Sequence, residues 1–201
     1  IRRVVDLESL PFAANMIYPD AVPSELQKLS SRFGAQHFDQ NSFDLLLSFH
    51  AFLVRNGKHT ILVDLFCGND KDRPTRPAWH MRNGPFLDNL AKGGVQPTDI
   101  DFVMCTHLHA DHVGWNTQLI DGAWVPTFPK AQYLFAEKEF THWQREHEKN
   151  PPEPVLYGSY LDSVLPVIDS GQAQLVKSNH QVDNGIHMEA AYGHTPGNVI
   201  I

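Results

Sequence analysis

Residues 106–112 read THLHADH and place three histidines and one aspartate in one short stretch, directly after the apolar run DFVMC. Side chains two residues apart project to the same side of an extended segment. His107 and His109 can therefore offer two imidazoles to one metal ion, and Asp111 can continue the row. His112 follows where the chain must leave the strand, so it can point at a neighbouring position. Imidazole and carboxylate groups are good ligands for zinc and its first-row neighbours. This stretch predicts a metal site at the end of a buried strand.

The two cysteines favour an open, catalytic metal site over a closed, structural one. Structural zinc sites usually have four protein ligands, often cysteines, whereas Cys67 and Cys105 lie in apolar, strand-like contexts that do not suit such a site. We expect two buried thiols rather than a disulfide. The chain has 12 histidines among its 201 residues, and those outside the metal-binding motifs are expected at the surface or as ordinary sheet residues.

Charge and hydropathy argue against several classes of function. The formal net charge of −7 disfavours a nucleic-acid partner, because phosphate contacts need clustered lysine and arginine. No apolar run approaches the roughly 18 residues of a membrane span, so no membrane partner is expected. The N-terminal IRRVVDLESL has no apolar segment behind its arginines and does not resemble a signal peptide. We therefore expect a cytoplasmic protein with a small-molecule substrate, although residues can precede Ile1 because no Met begins the chain.

Strand-like and helix-like segments alternate along the chain. Asn56-Gly57 between two apolar runs is the strongest short hairpin signal, and Gly93-Gly94 is a typical helix stop. Strands are predicted at 43–54, 60–66, 101–105, 131–135, 174–177 and 186–191. Helices are predicted at 85–92, at 137–149 before Pro151, Pro152 and Pro154, and at 157–168, where Pro166 interrupts the pattern. The polar stretch 69–84, rich in proline and arginine, is predicted as a loop that is solvated by default, with anion binding as the alternative. A mixed sheet with helices packed on it follows, in the α/β (α+β) class.

The spacing H-x-H-x-D-H resembles the signature of the metallo-β-lactamase superfamily, and two further motifs follow the family's order. Residues 61–69 (ILVDLFCGN) are similar to the family's early strand ending in Asp, and residues 193–198 (GHTPGN) are similar to its third motif. The resemblance implies an αββα sandwich with a metal cleft at one edge, between two sheets. By the family's usual size, residues 1–201 are expected to form one metallo-β-lactamase-like domain that is incomplete at its C-terminus.

The resemblance also implies a role for each matching residue. The first metal position would take His107, His109 and His194, and the second would take Asp111 and His112. Asp64 would orient the site by hydrogen bonding. Asp111 would also be the catalytic group that orients the nucleophile and passes a proton to the leaving group. The expected metal is Zn²⁺, one or two ions, with iron or manganese as alternatives.

This sequence departs from the family's pattern in three places. Asn198 and Tyr192 replace a His and a Pro that are common around the third motif, and the His at the position of Asn198 is not a metal ligand in the family. The family's bridging carboxylate and final His ligand lie on later strands, so the second metal position would have only two protein ligands here. Trp115 directly follows the metal loop, and both pocket lining and core packing remain open for it.

The motif region with the following residues 121–140 resembles the branch of methyl parathion hydrolase-like and acyl-homoserine-lactone lactonase-like enzymes. The implied function is a zinc-dependent hydrolase that uses a metal-activated hydroxide on a small, fairly apolar ester, lactone or organophosphate-type substrate. Two alternatives remain: a mononuclear iron sulfur dioxygenase of the same fold, and a truncated, non-catalytic metal-binding module. A homodimer is expected because related hydrolases are often dimers.

Overall fold

The computed structural model of the chain describes residues 1–149 and 154–201. The chain divides into two compact units, residues 1–4 with 50–201 and residues 5–49. The helices are α1 (Ala14–Ile17), α2 (Pro23–Phe33), α3 (Phe86–Lys92), α4 (Ala110–Val113), α5 (Glu137–Lys149) and α6 (Leu165–Asp169). The strands are β1 (Arg2–Phe12), β2 (Leu45–Arg55), β3 (Thr60–Val63), β4 (Phe102–Met104), β5 (Thr117–Ile120), β6 (Ala123–Pro126), β7 (Gln132–Ala136), β8 (Ala173–Val176), β9 (Gln181–Asp183), β10 (Ile186–His187), β11 (Glu189–Ala190) and β12 (Val199–Ile200).

A six-stranded sheet in the order β1-β2-β3-β4-β7-β8 forms the framework. β2 and β3 pair antiparallel, while β4, β7 and β8 continue from β3 in parallel. The hairpin predicted between β2 and β3 is confirmed: Gly57 has a φ of 85°, and Asn56 Oδ1 accepts the amide hydrogens of Lys58 and His59 at 3.0 and 2.7 Å. Because β3, β4 and β7 are parallel, their carboxyl ends meet at one edge of the sheet, which is the usual place for a ligand site in such sheets.

The parallel strands are buried on both faces, as parallel sheets usually are. Leu62 and Val103 belong to a core that also contains side chains from α3, α5 and α6. Their sequence neighbours Ile61 and Met104 belong to a second core, which includes Val199 from the last strand. Helices therefore cover one face, and the short antiparallel pairs β9–β10 and β11–β12 cover the other. This mixed α/β layering confirms the predicted fold class.

Residues 5–49 contain elements that the sequence did not predict. α2 begins with Pro23, which suits the first helical turn because its missing amide hydrogen would have no helical partner there. Gly34 follows the helix with a φ of 81°, a left-handed conformation that favours glycine. An isolated bridge joins Phe38 to Leu45. The sequence signal for β1 was weak because charged residues and Pro11 interrupt its apolar pattern.

The helix predicted at 157–168 is confirmed in part. Residues 160–169 are helical, but they begin with a π-helical turn at Tyr160–Val164 that continues into α6, and a separate turn at Val155–Gly158 precedes them. Pro166 lies in the first turn of α6, so it begins a helix rather than interrupting one. The helix at 137–149 is confirmed with the predicted bounds. Pro151 and Pro152, which were expected to end it, lie outside the described residues.

The strand predicted at 60–66 ends at Val63 because the backbone turns sharply directly after it. Asp64 and Phe66 have φ values of 50° and 38°, which an extended strand does not allow. Cys67 and Cys105 are both buried and are not joined in a disulfide, which confirms the prediction of two thiols. Within the described ranges, no helix combines the length and the hydropathy that a bilayer-spanning segment requires.

Candidate metal centre

Three histidines from two loops meet at the carboxyl edge of β4. His107 and His109 lie in the segment that follows this strand, and His194 lies between β11 and β12. The amide of Val199 donates to the carbonyl oxygen of Thr106 at 2.9 Å, which ties the second loop to the first. One nitrogen atom from each of the three rings lies within 4.8 Å of the other two. The structure thus brings together the three residues that the sequence assigned to the first metal position.

The three imidazole rings face one another edge to face. Their centroids are 4.7 Å apart in every pair, with interplanar angles of 77°, 83° and 81°. His107 is only 5% exposed, and its Nε2 is buried without a hydrogen-bond partner among the described residues. A buried polar atom without a partner costs about 1–3 kcal/mol, and a metal ion between the rings would supply one. The residues present therefore fit a metal ion at this position.

Burial keeps two of these rings in the neutral form. Burial, followed by the neighbouring His112, His109 and His194, lowers the pKa of His107 to about 2. Burial, followed by His194, also lowers the pKa of His109. A neutral imidazole keeps the lone pair that binds a metal, so protonation does not compete with metal binding at these two rings near neutral pH.

Asp64 holds the metal loop through three hydrogen bonds. Its Oδ1 accepts the amide of Thr106 at 2.8 Å, and its Oδ2 accepts the Thr106 hydroxyl at 2.8 Å and His112 Nδ1 at 2.9 Å. Burial opposes the charged form of His112, but the hydrogen bond and the charge of Asp64, with a smaller contribution from Asp111, raise its pKa above the ordinary value. With Nδ1 engaged by Asp64, Nε2 is the ring nitrogen left to face the site.

Asp111 does not continue the extended row, so this part of the prediction is wrong. The backbone becomes helical at Ala110, and Asp111 lies in the first turn of α4. Its Oδ2 lies 3.7 Å from His112 Nε2, and the His112 ring centroid lies 3.9 Å from that of His107. Asp111 and His112 therefore form a second group beside the three-histidine cluster. The resemblance assigned these two residues to the second metal position.

Two loops that carry site residues are packed backbone to backbone. Gly114 lies so close to the loop after Asp64 that an added Cβ would be 1.8 Å from the carbonyl carbon of Cys67. On either side of this contact, the amide of Leu65 donates to the His112 carbonyl at 2.7 Å, and the amide of Trp115 donates to the Leu65 carbonyl at 2.9 Å. Only glycine fits at position 114, and this packing sets the distance between Asp64 and His112.

A family profile described as the metallo-beta-lactamase superfamily matches residues 49–201, about three quarters of the chain. The chain belongs to this superfamily. The matched region contains all of the metal-centre residues described above. A search of curated protein sequences gives no match.

Solved structures of the same fold support the assignment. A probable metal-dependent hydrolase from Staphylococcus aureus has a TM-score of 0.73 and 18% identity, over 98% of this chain and 66% of that one. The hydrolase AbOPH of the beta lactamase superfamily has a TM-score of 0.70 and 23% identity, over 98% and 64%. The dizinc quorum-quenching lactonase AidC, in complex with a product, has a TM-score of 0.62 and 20% identity, over 98% and 64%. The chain thus spans about two thirds of the length of these structures. At these identities the likeness establishes the metallo-β-lactamase fold.

A cleft of about 480 Å³ opens beside the metal centre of this superfamily member. His109 and Asp111 form one part of its wall. The other lining residues are mostly aromatic or apolar: Arg76, Trp79, Ala110, Trp143, Pro154, Leu156 and Tyr157. Trp115 does not line this cleft; it is 3% exposed and stacks on Phe86 with centroids 5.4 Å apart. Of the two interpretations left open for Trp115, pocket lining and core packing, the structure supports core packing.

Sequence reasoning missed Glu139, a carboxylate that is 1% exposed in the first turn of α5. It accepts hydrogen bonds from both loops that carry the clustered histidines. One signal in the sequence could have revealed it. Glu139 is four residues before Trp143, so the two share a helix face that also has to be the buried one.

The loop 69–84 was predicted to be solvated, but two of its cations are buried. Lys71 and Arg73 are 0% and 1% exposed, and both contact Asp162 in the π-helical turn. Arg73 makes a two-pronged pair with the Asp162 carboxylate at 2.7 and 2.8 Å. This anchor holds the loop that supplies Arg76 and Trp79 to the cleft.

Proposed function

We propose that the chain is the metal-binding part of a zinc-dependent hydrolase. The observation that carries this proposal is the cluster of His107, His109 and His194, together with the buried and partnerless Nε2 of His107. These three residues would hold the first ion, and Asp111 with His112 would contribute to a second. Zinc bound in such a site lowers the pKa of a bound water to near neutrality and polarises the substrate's electrophilic centre.

Asp111 is the residue that we assign to proton transfer. Its side chain is 30% exposed, borders the cleft and lies beside the histidine cluster. The carboxylate can accept a proton from the attacking water and deliver it to the oxygen of the leaving group. Asp64 has a different task, since its oxygens are occupied by Thr106 and His112. It holds His112 in one orientation and one tautomer.

The cleft supports a small, fairly apolar substrate of the ester, lactone or organophosphate type. Trp79, Trp143 and Tyr157 give it flat apolar walls, and Arg76 is its one lining cation among the described residues. The Arg76 guanidinium lies 4.9 Å from the ring centroid of Tyr157 and donates to its hydroxyl at 2.6 Å. Such walls suit an acyl chain or an aryl group, while the guanidinium can orient a carbonyl or phosphoryl oxygen. A dizinc lactonase is among the proteins that share this fold.

Metal content and hydrolysis on one purified sample test the proposal. Elemental analysis should find zinc in the wild-type chain, and His194→Ala should lose it. Zinc-loaded protein should then hydrolyse at least one compound in a panel of aryl esters, lactones and phosphotriesters. Iron with dioxygen consumption would favour the dioxygenase alternative, and absence of any metal would refute a metal centre. Sedimentation of the same sample tests the expectation of a homodimer.

A further inference from the structure

Glu139 has every acceptor position of its carboxylate in use. Its Oε1 accepts the amide of Leu108 at 3.2 Å and the indole Nε1 of Trp143 at 2.6 Å. Its Oε2 accepts the hydroxyl of Thr195 at 2.7 Å and the amide of Gly197 at 2.9 Å. All four partners are donors, which suits an ionised carboxylate because that form offers acceptors only. The negative charge also lies in the first turn of α5, where the helix dipole stabilises it.

The donors come from the two loops that carry the clustered histidines. Leu108 lies between His107 and His109, and Thr195 directly follows His194. One carboxylate thus joins segments that are 31 and 56 residues away from it in the chain.

The second loop lies directly on the start of α5. A Cβ added to Gly197 would be 2.2 Å from the backbone nitrogen of Glu139. There is no space for the loop to settle closer to α5 if the carboxylate is altered, so the loop can adjust to a lost hydrogen bond only by moving away from the helix. Trp143, whose indole donates to the same carboxylate, lies 5.6 Å from the His109 ring and lines the cleft.

We propose that Glu139 is a positioning residue that sets the geometry, and hence the affinity, of the three-histidine metal site. It acts by holding the His107–His109 loop and the His194 loop at one separation. This inference rests on the proposed function, since it requires that the cluster binds an ion. Residues that orient metal ligands commonly change metal affinity by about 10–100-fold when they are removed.

Glu139→Gln tests the proposal with little change in volume. The amide keeps one acceptor oxygen and turns an NH₂ group toward two donors, so one of the two loops loses its hydrogen bonds. Glu137→Gln is the matched control, because Glu137 is exposed and lies in the same turn of the same helix. Zinc affinity is measured by competition with a chromophoric chelator, and ligand geometry is measured from the visible spectrum of the Co²⁺-loaded chain.

We expect Glu139→Gln to weaken zinc binding by about 10–100-fold and to change the positions and intensities of the Co²⁺ bands. Glu137→Gln should match the wild type in both measurements. If Glu139→Gln does not fold, Thr195→Val carries the test by removing one donor beside His194, and Thr195→Ser should restore wild-type affinity and spectrum by returning the hydroxyl. Trp143→Phe removes the indole donor to Glu139 Oε1, the oxygen that Thr195 does not contact.

Two outcomes would overturn the inference, and they differ from each other. If Glu139→Gln or Thr195→Val lowers only the melting temperature and leaves zinc affinity and the Co²⁺ spectrum unchanged, Glu139 is a structural residue and the proposed function stands. If the wild-type chain itself binds neither zinc nor Co²⁺, the proposed function fails and this inference fails with it.

Discussion

Lys71 is a buried cation whose proton should be lost on folding. Its ammonium nitrogen lies 2.6 Å from Thr117 Oγ1, 3.0 Å from the Asp162 carbonyl oxygen and 3.4 Å from the ring centroid of Trp124. Burial is the main reason that the pKa of Lys71 falls from 10.5 to about 7; Asp162 opposes the fall and Arg73 adds to it. The Asp162 carboxylate is shared with Arg73, so it cannot fully stabilise a second buried cation.

The lowered pKa of Lys71 makes the free energy of unfolding depend on pH in a definite direction. Between about pH 7 and about pH 10.5 the unfolded chain holds a proton on Lys71 that the folded chain lacks. The free energy of unfolding therefore rises with pH in this window, by about 1.4 kcal/mol per pH unit. From about pH 7.5 to about pH 9 the gain is roughly 2 kcal/mol. Below about pH 7 both states are protonated, and the dependence on Lys71 disappears.

Lys71→Met removes this proton and keeps an unbranched apolar side chain in the same space. Urea unfolding of both proteins should show that the wild type gains roughly 2 kcal/mol relative to Lys71→Met between about pH 7.5 and about pH 9. Taking the difference between the two proteins cancels Cys105 and Tyr133, whose pKa values are raised by burial and which act in the opposite direction. Lys58→Met, at an exposed site, is the control for loss of a surface charge. If the free energies of unfolding of the wild type and Lys71→Met change with pH in parallel, Lys71 is not deprotonated in the folded chain.

Three further perturbations test the site and its supports. Asp64→Asn should weaken zinc binding by about 10–100-fold in chelator competition, because the amide cannot accept from both Thr106 and His112. Gly114→Ala should abolish the cooperative thermal transition, because the new Cβ would lie 1.8 Å from the carbonyl carbon of Cys67 and only a movement of a whole loop relieves that clash. A normal transition would show that the Gly114 loop and the Cys67 loop are not in contact. Trp79→Ala should raise KM for apolar esters more than it lowers kcat, because the ring gives the cleft one of its apolar walls; an effect on kcat alone would exclude a binding role.

The parts of this protein that the sequence predicted well are those in which the partners are close along the chain. The Asn56-Gly57 hairpin, the helix at 137–149 and the histidines of 106–112 each depend on residues within one turn or one element. Glu139 and the Lys71–Asp162 pair escaped prediction because most of their partners are 31 to 91 residues away. A charged residue looks solvated when read alone, and only the fold supplies the donors or acceptors that allow its burial.

The prediction that Asp111 continues the row of His107 and His109 failed because the backbone conformation changes within residues 106–112. Residues two apart share a side only while the backbone is extended, and His109, with φ −63° and ψ 154°, is the last extended residue before α4. From Ala110 the helical period applies, so Asp111 turns toward the cleft and His112 turns back to Asp64. One heptapeptide thus supplies both the pair of His107 and His109 and the pair of Asp111 and His112, because its backbone changes from extended to helical in the middle. A substitution that extends the strand past His109, such as a β-branched residue at Ala110, should separate Asp64 from His112 while leaving the pair of His107 and His109 in place.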